Sequence, residues 1–186
     1  MMKIKLVCVG SIKENFFKLA IDEYAKRLQK FCKLEIIEAK QGKSDNENAK
    51  AEEYAEIVKH LEGYICVLAI EGKQLSSTEF AEKLNDIATH GGSVVTFVIG
   101  GSFGVDDRIK RTANFLLSFS NMTFPHQLFR VLTLEQIYRA FNIQSHPPYH
   151  KKRGKPRRCG YCPYAQGICM DDILWVLSMP FIARLA

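Results

Sequence analysis

Two kinds of apolar pattern alternate along the chain. Short, mostly apolar runs, typical of strands buried on both faces, lie at 4–9, 34–37, 64–70, 94–99 and 115–120. Segments in which apolar residues recur every three or four positions, as on one face of a helix, lie at 17–31, 54–61, 80–87 and 126–143. Continuous apolar strands that alternate with helices predict an α/β fold, in which helices cover both faces of a parallel sheet.

Local signals mark where three of the helices begin. Ser76 and Glu79 have the spacing of a capping box, in which each residue satisfies a free N–H group of the other. Asp106 and Asp107 put negative charge where a helix N-terminus favours it, and Pro125 suits the first turn of the last helix. These signals therefore support three helix starts that the apolar spacing alone locates only roughly.

The last predicted helix, 126–143, carries apolar residues over more than half of its circumference. A surface that broad needs cover on more than one side. Either the helix lies in the centre of the core or it packs against a second subunit, and the pattern alone leaves both open. If a second subunit covers it, a glutamate in place of Leu134 or Ile137 is expected to give monomers or insoluble protein.

Length and composition indicate one well-filled core. The chain has 186 residues, of which 47% are hydrophobic. No segment reaches the roughly 18 consecutive apolar residues that cross a bilayer. The N-terminus MMKIKLVCVG leads straight into strand-like sequence and lacks the apolar region and cleavage site of a signal peptide. We therefore expect a cytoplasmic protein with no membrane partner.

Charge and cysteine content divide the chain at about residue 150. Residues 1–150 carry 19 Lys and Arg against 18 Asp and Glu, whereas 151–186 carry seven against two, mostly in KKRGKPRR. The net charge of +6 is therefore weak evidence for nucleic-acid binding by the body of the protein. Cys8, Cys32 and Cys66 lie in apolar stretches, as small buried residues do. This division predicts one domain over 1–150 and a basic, cysteine-containing extension over 151–186.

The segment IGGSFG follows a predicted buried strand and is a candidate cofactor loop. Glycines let the backbone approach a ligand closely, and free N–H groups at a strand end bind polar atoms. The spacing differs from the G-x-G-x-x-G fingerprint, no acidic residue ends a following strand, and no Gly-Lys-Ser/Thr occurs. A dehydrogenase or P-loop enzyme is therefore disfavoured, while a simple turn stays an alternative to a cofactor loop.

Histidine, arginine and tyrosine crowd the stretch 125–150. On a helix, Arg130 and Arg139 point in nearly opposite directions, so they do not form one patch by themselves. Arg139 has an ordinary alternative role, an ion pair with Glu135 one turn earlier. The segment SHPPYHK is stiffened by two prolines and presents imidazoles and a phenol that can stack on unpaired RNA bases. It is therefore a candidate RNA contact.

Taken together, these segments resemble the RlmH family of SPOUT enzymes, which methylate N3 of a pseudouridine in bacterial large-subunit ribosomal RNA. The matching text is VCVGSIKENFFKLAIDEYAKRL, AIEGKQLSSTEFAEKLN, FVIGGSFGV, LSFSNMTFPHQLFRVLTLEQIYRAF and HPPYHK. It runs from residue 2 to about residue 151, essentially the length of a complete family member. The combination of IGG, LSxSxMTxPHQxxR, EQxYRAF and PYHK is highly specific.

The resemblance implies a fold, a methyl donor and partners. The family fold is a parallel α/β sheet whose C-terminal part forms a deep trefoil knot. Family members are homodimers that act on 23S ribosomal RNA in the large subunit or the assembled ribosome, which favours a subunit interface for the last helix. The donor is S-adenosylmethionine, and no metal is required. Carried over by motif, the donor-binding positions are Leu68, Gly100, Phe119, Ser120, Asn121, Met122, Thr123 and Phe124.

The implied reaction moves a methyl group from a sulfonium to a pyrimidine imide nitrogen. That nitrogen must lose its proton, so a general base or a group that stabilises the developing anion is needed. The candidates near the target base are His150 and Tyr149, with Arg139 and His126 orienting RNA or stabilising charge. Which of them is the base stays open. The alternative is a catalytically inactive ribosome-binding protein of the same fold, and the intact donor-loop motif argues against it.

The C-terminal extension lies beyond the family pattern. Cys159, Cys162 and Cys169 resemble three ligands of a zinc site, but a structural zinc site needs four. His150 could supply the fourth only by leaving its catalytic role. The basic run could bind RNA phosphates, and the apolar end could pack on the body or a partner. We favour a lost stop codon or altered reading frame as the origin of the extension. A chain truncated after Lys152 is then expected to fold, dimerise and bind the donor, and the full chain is expected to hold no zinc.

Overall fold

Strands and helices alternate without exception along the part of the chain that the computed structural model describes, which is residues 1–42, 47–90, 92–101 and 103–145. The strands are β1 (Met2–Val9), β2 (Cys32–Ala39), β3 (Tyr64–Gln74), β4 (Val94–Ile99) and β5 (Phe115–Ser118). The helices are α1 (Asn15–Leu28), α2 (Glu47–Val58), α3 (Ser77–His90), α4 (Asp107–Thr112) and α5 (His126–Ser145). The alternation that the apolar pattern predicts is therefore confirmed.

These strands form one parallel sheet in the order β2-β1-β4-β3-β5. In its centre, Val7 of β1 pairs with Ile37 of β2 on one side and with Val98 of β4 on the other. Residues 4–9 are buried at every position, whichever face of the sheet they point to. A continuous apolar strand is thus explained by burial on two faces, and the predicted α/β class is confirmed.

The helices are divided between the two faces of the sheet. On one face, α2 and α4 cover a cluster that includes Val7, Val98 and Ile109. On the other face, α5 packs against both α1 and α3. Phe80 of α3 meets Phe97 of β4 edge-on there, with the ring centroids 6.2 Å apart. Since successive strand residues point to opposite faces, Phe97 and Val98 enter two separate apolar layers.

Three helix starts follow the signals in the sequence. Ser76 and Glu79 form the predicted capping box: the Ser76 N–H donates to Glu79 Oε2 (2.7 Å), and the Glu79 N–H donates to Ser76 Oγ (3.3 Å). Asp106 caps α4 by accepting a 2.8 Å hydrogen bond from the Arg108 N–H. The carbonyl of Pro125 accepts the first backbone hydrogen bond of α5. Local chemistry therefore sets these boundaries.

Strand β3 is longer and less regular than its apolar run predicts. The sequence indicates a strand over 64–70 followed by a turn, but the strand runs to Gln74. Leu68 and Lys73 both pair with Leu117 of β5, and residues 69–72 bulge out between them. Pairing along an edge strand, rather than apolar periodicity, holds this polar end of β3 in the sheet.

The cysteines of the body behave as the sequence predicts. Cys8, Cys32 and Cys66 are buried and free of disulfides. Burial raises the pKa of each thiol to about 12. The thiols therefore stay protonated at neutral pH and pack as small apolar side chains.

Other predictions concern residues that the structure does not describe. His146, Tyr149 and His150 lie outside the described residues, as does the extension 151–186 with its three cysteines. The domain division at residue 150 and the trefoil knot stay predictions. Among the helices that the structure describes, none is long and apolar enough to cross a membrane.

Candidate functional site

A cavity of about 520 Å³ opens at the carboxyl ends of β3, β4 and β5. Ligands of open α/β sheets bind at this edge, because the loops that leave the strands there diverge. The volume lies within the roughly 300–1,000 Å³ of small-molecule sites. The walls come from three segments, which contribute residues 68–71, then 99–101 with 103–105, and then 118–120 with 122–126, together with Lys110 and Phe129.

The first wall is the bulge in β3. Because residues 69–72 leave the ladder with β5, Ala69, Ile70 and Glu71 line the cavity instead of pairing. The bulge closes at Gly72, where a Cβ atom would lie 2.6 Å from the carbonyl carbon of Leu117. Only glycine allows β3 to return to the ladder so close to the β5 backbone.

The second wall is the glycine loop that joins β4 to α4. It folds back on itself, since the Gly104 N–H donates a 3.0 Å hydrogen bond to the Gly101 carbonyl and Gly104 has φ +83°. A Cβ atom on Gly100 would lie 2.6 Å from both the carbonyl carbon and the oxygen of Gly104. Gly100 is therefore needed by the turn itself. Glycine at this position is thus explained by the fold of the loop, and not only by room for a ligand.

The third wall is the loop between β5 and α5. Ser118 Oγ donates to the Ser120 carbonyl (3.1 Å), and Ser120 Oγ accepts from the Met122 N–H (3.0 Å). These two hydroxyls hold the backbone in a tight turn. The turn leaves Met122 72% exposed and Phe124 37% exposed beside the cavity. An apolar rim at an open cavity indicates contact with a flat apolar ligand or partner group.

Aromatic rings back this loop from the side of α5. The ring of Phe124 stacks on that of Phe129 at 5.8 Å between centroids, with 10° between the planes. The Phe119 ring also packs against Phe129, with 5.2 Å between the ring centroids. Aromatic rings prefer defined mutual geometries, and such pairs add to the stabilisation from apolar burial. The stacking therefore restricts the positions of these side chains.

The structure brings together most of the residues that the family motif assigns to the methyl donor. Seven of the eight line the cavity: Leu68, Gly100, Phe119, Ser120, Met122, Thr123 and Phe124. Asn121 is placed differently. Its Oδ1 accepts a 2.6 Å hydrogen bond from Gln74 Nε2, which ties the loop to the end of β3.

An ion pair that the sequence did not indicate lies at the cavity wall. Lys110 Nζ contacts Glu71 Oε1 at 2.6 Å and Asp107 Oδ1 at 3.1 Å. The hydrogen bond from Lys110 lowers the pKa of Glu71, and the bond to Glu71 raises the pKa of Lys110. Both groups stay charged at neutral pH. In the sequence, Glu71 stands in the polar segment EGK after an apolar strand. Such a segment is typical of an ordinary turn, so it does not indicate an ion pair at a cavity.

His126 is the histidine that the described residues place in the cavity wall. Burial lowers its pKa from the usual 6.5, and the nearby charges of Arg130 and Lys13 lower it further. Its imidazole is therefore neutral at pH 7 and can accept a proton. His126 is the first residue of α5 and directly follows the loop that forms the third wall.

The two arginines of α5 point in different directions, as their spacing predicts. Arg130 is fully buried, and its Nη1 donates to Glu38 Oε1 at 3.1 Å. Arg139 is half-exposed and donates from Nε to Glu135 Oε1 at 2.9 Å, which is the ordinary ion pair expected from the sequence. Neither arginine lines the cavity. The buried role of Arg130 has no signal in apolar spacing, because a cation at a core position breaks the pattern.

Within the described part of the chain, no group of three or more His, Cys, Asp or Glu side chains could hold a metal ion. The cavity instead offers apolar and aromatic side chains with backbone polar groups between them. This combination fits an organic ligand that carries a flat ring, such as an adenine nucleoside.

Known proteins match this chain over most of its length. Residues 2–150 match the family described as "Predicted SPOUT methyltransferase". The curated ribosomal RNA large subunit methyltransferase H of Bifidobacterium animalis subsp. lactis is 52% identical over 159 residues, which cover 81% of this chain and 100% of that protein. A protein of the same name from Clostridioides difficile is 49% identical over 161 residues, with the same coverage.

A solved structure of a probable methylase family protein from Haemophilus influenzae is also similar. It has a TM-score of 0.47 and 14% sequence identity, covering 92% of this chain and 74% of that chain. The sequence matches are far stronger than this structural similarity.

Proposed function

Because the chain belongs to the SPOUT methyltransferases named ribosomal RNA large subunit methyltransferase H, we propose that it methylates N3 of a pseudouridine in 23S ribosomal RNA, with S-adenosylmethionine as the donor. The observation that carries the proposal is the cavity at the carboxyl edge of the sheet. There, seven motif residues from three separate segments line one space. The sites of action would be the large subunit or the assembled ribosome, in the cytoplasm.

The donor side of the proposal rests on the chemistry of the cavity walls. When bound, S-adenosylmethionine supplies an electrophilic methyl carbon attached to a positively charged sulfur. Leu68 and the aromatic side chains of the loop between β5 and α5 would hold its adenine by apolar contact, while backbone groups of that loop would read the edges of the ring. The short turn at Ser118 and Ser120 keeps those backbone groups in place before a ligand arrives.

The acceptor side needs a group that takes the N3 proton of the pyrimidine. His126 is neutral at pH 7 and lines the cavity, so it has the protonation state that a general base requires. His150 and Tyr149 are the other candidates, because the family resemblance implies that they lie near the target base. Arg139 would orient RNA or stabilise the developing anion only after releasing Glu135, its partner in this structure.

A homodimer is part of the proposal, and α5 supports it. Its residues Leu128, Val131 and Leu132 remain partly exposed although the helix packs against α1 and α3. A second subunit would remove this apolar surface from water. The nearly neutral charge of residues 1–150 further implies that RNA is recognised by a local patch and in an assembled particle.

Two measurements on the full chain test the proposal. Calorimetric titration should show binding of S-adenosylmethionine and none of NADH. Incubation with ribosomal particles that lack the modification should then transfer a labelled methyl group to 23S ribosomal RNA, with weak transfer to short free RNA. Donor binding without transfer would favour the inactive ribosome-binding alternative. Absence of donor binding, or efficient methylation of an isolated stem-loop, would contradict the proposal.

A further inference from the structure

A buried carboxylate stands behind the glycine loop. Glu53 of α2 is only 4% exposed, although it is a charged side chain on a helix. Its Oε1 accepts a hydrogen bond of 3.4 Å from the Gly42 N–H, and the carboxylate also accepts one from the Gly101 N–H. Carboxylates in a core are rare unless they are paired or hydrogen-bonded, so this one needs an explanation.

The contact with Gly101 leaves no room for a side chain. A Cβ atom there would lie 2.8 Å from Glu53 Oε1 and 3.0 Å from Oε2. The contact therefore depends on both residues: Gly101 leaves its backbone uncovered, and Glu53 of α2 places its carboxylate against it. Gly101 is itself part of the second wall of the cavity, whereas Glu53 does not line the cavity.

One carboxylate thus joins two loops that are not neighbours in the sheet. Gly42 follows β2 and Gly101 follows β4, while β1 lies between these two strands. Helix α2 also fixes the far end of the glycine loop, since the Arg108 guanidinium lies 3.9 Å from the Tyr54 ring centroid. Adjacent residues of α2, Glu53 and Tyr54, therefore contact the beginning of the loop and the helix that follows it.

The arrangement is costly to the fold. Burial raises the pKa of Glu53, and the hydrogen bonds from Gly42 and Gly101 lower it by less. A carboxyl whose pKa is raised on folding destabilises the native state at neutral pH, where it must be ionised. Stability alone therefore gives no reason for a glutamate here. Glutamine would fill nearly the same space without the charge.

We propose that Glu53 is a positioning residue of the cavity, whose carboxylate holds the Gly101 amide and thereby keeps the glycine loop in the shape that receives the methyl donor. The identity of that ligand rests on the proposed function, but the constraint on the loop does not. Glu53 acts through the backbone at Gly101 and touches neither reactant.

The test compares Glu53→Gln with Glu56→Gln in the full chain. Glu56 lies on the same helix and pairs at the surface with Lys59, so its variant controls for loss of a charge on α2. In Glu53→Gln, the side chain loses its charge and keeps a single acceptor oxygen, so the two backbone N–H groups must share that oxygen and lose the strength of a charge-assisted hydrogen bond. We expect an unchanged or higher Tm, amide hydrogen exchange at Gly101 faster by roughly tenfold, and donor affinity weaker by roughly tenfold.

Gly101→Ala attacks the same contact from the other side and assigns the Gly101 signal in glycine-labelled protein. It should weaken donor binding as Glu53→Gln does, whereas Glu56→Gln should match the natural chain in every readout. Unchanged Gly101 exchange in Glu53→Gln would overturn the inference whether or not a donor binds. So would a lower Tm with faster exchange at all glycines alike, which indicates a merely structural role.

Donor titration separates this inference from the proposed function. If the natural chain binds S-adenosylmethionine and Glu53→Gln binds it equally well, the inference fails and the proposed function stands. If the natural chain does not bind the donor, the proposed function fails, and exchange at Gly101 still decides whether Glu53 holds the loop.

Discussion

Arg130 donates a 2.7 Å hydrogen bond to the carbonyl of Gly10, 120 residues earlier in the chain, from a side chain with no exposed surface. The same Nη2 atom donates to the Val9 carbonyl, also at 2.7 Å. Gly10 has φ +80°, a conformation that favours glycine and turns the chain out of β1. The guanidinium therefore ties the first turns of α5 to two buried backbone carbonyls at the end of β1.

Replacing Arg130 should destabilise the protein strongly. Arg130→Met would leave two buried carbonyl oxygens without their donor, and each unsatisfied group costs about 1–3 kcal/mol. We expect the free energy of unfolding in urea to fall by about 2–5 kcal/mol, with an unchanged slope against denaturant. Arg130→Lys keeps the charge but not the planar fork, so it should recover only part of the loss.

Arg139→Met is the matched control for this prediction, as Arg139 makes its ion pair on the same helix but at the surface. Exposed pairs of this kind contribute about 0–1 kcal/mol. If the two variants lost equal stability, the buried hydrogen bonds of Arg130 would not have the weight assigned to them.

Helix α5 should respond differently to a charge on its two sides. Leu134 is fully buried within one protomer, whereas Leu132 is partly exposed. Leu134→Glu should therefore give insoluble protein rather than folded monomers, which narrows the expectation drawn from sequence. Leu132→Glu should give a folded monomer by light scattering after gel filtration, because the charge would be unpaired only in an interface. A natural chain that is monomeric at micromolar concentration would contradict the homodimer.

How much of the fold the sequence reveals depends on which interactions set each element. The strand over 94–99 is an apolar run apart from Thr96, and the structure gives β4 the same bounds. The helix caps at Ser76 and Asp106 depend on local residues, so the sequence predicts them equally well. The end of β3 is not predictable in this way, because Lys73 and Gln74 stay in the sheet through pairing with β5, which is a contact between distant segments.

The candidate site likewise contains residues that the sequence predicts and residues that it does not. The loop between β5 and α5 could be recognised from its motif, and it lines the cavity. Glu53 and Glu71 could not be recognised, since a charged residue on a helix or after a strand is usually solvated. Only tertiary packing places Glu53 against Gly101 and Glu71 against Lys110. Close approach to a backbone atom leaves no periodic trace in a sequence.

The pH dependence of turnover can identify the general base. The folded-state pKa of His126 lies below the usual 6.5, so a reaction that needs its neutral imidazole stays fast at pH 7 and slows only as the pH falls through that lowered value. His126→Gln should lower turnover on ribosomal particles by about 10²–10⁴-fold if it is the base, with little change in donor affinity. His150→Ala and Tyr149→Phe are the parallel variants.

The acid limb of the rate profile distinguishes these candidates. It should disappear in His126→Gln if His126 accepts the proton, and persist there if His150 does. Folding stability changes in the same direction: a histidine with a lowered folded-state pKa destabilises the native state as pH falls below about 6.5, because the unfolded chain binds the proton more readily. Rates must therefore be measured where the protein remains folded.

Removing the extension 151–186 should leave the enzyme intact. Residues 2–150 match the family, and the curated relatives are covered over their whole length by the part of the chain that aligns with them. A chain truncated after Lys152 is expected to keep the fold, the dimer and full donor affinity, measured by circular dichroism, light scattering and calorimetry. Elemental analysis of the full chain should find no zinc, since three cysteines fall short of the four ligands of a structural site.

RNA affinity gives a second readout for the extension. Six of its first eight residues are lysine or arginine, and cations that contact phosphates make binding fall steeply with salt. If the extension is unselected sequence, full and truncated chains should methylate ribosomal particles at similar rates near physiological salt, and only non-specific RNA binding at low salt should weaken on truncation. Loss of donor binding or dimerisation on truncation, or stoichiometric zinc in the full chain, would show that the extension is an integral part of the protein.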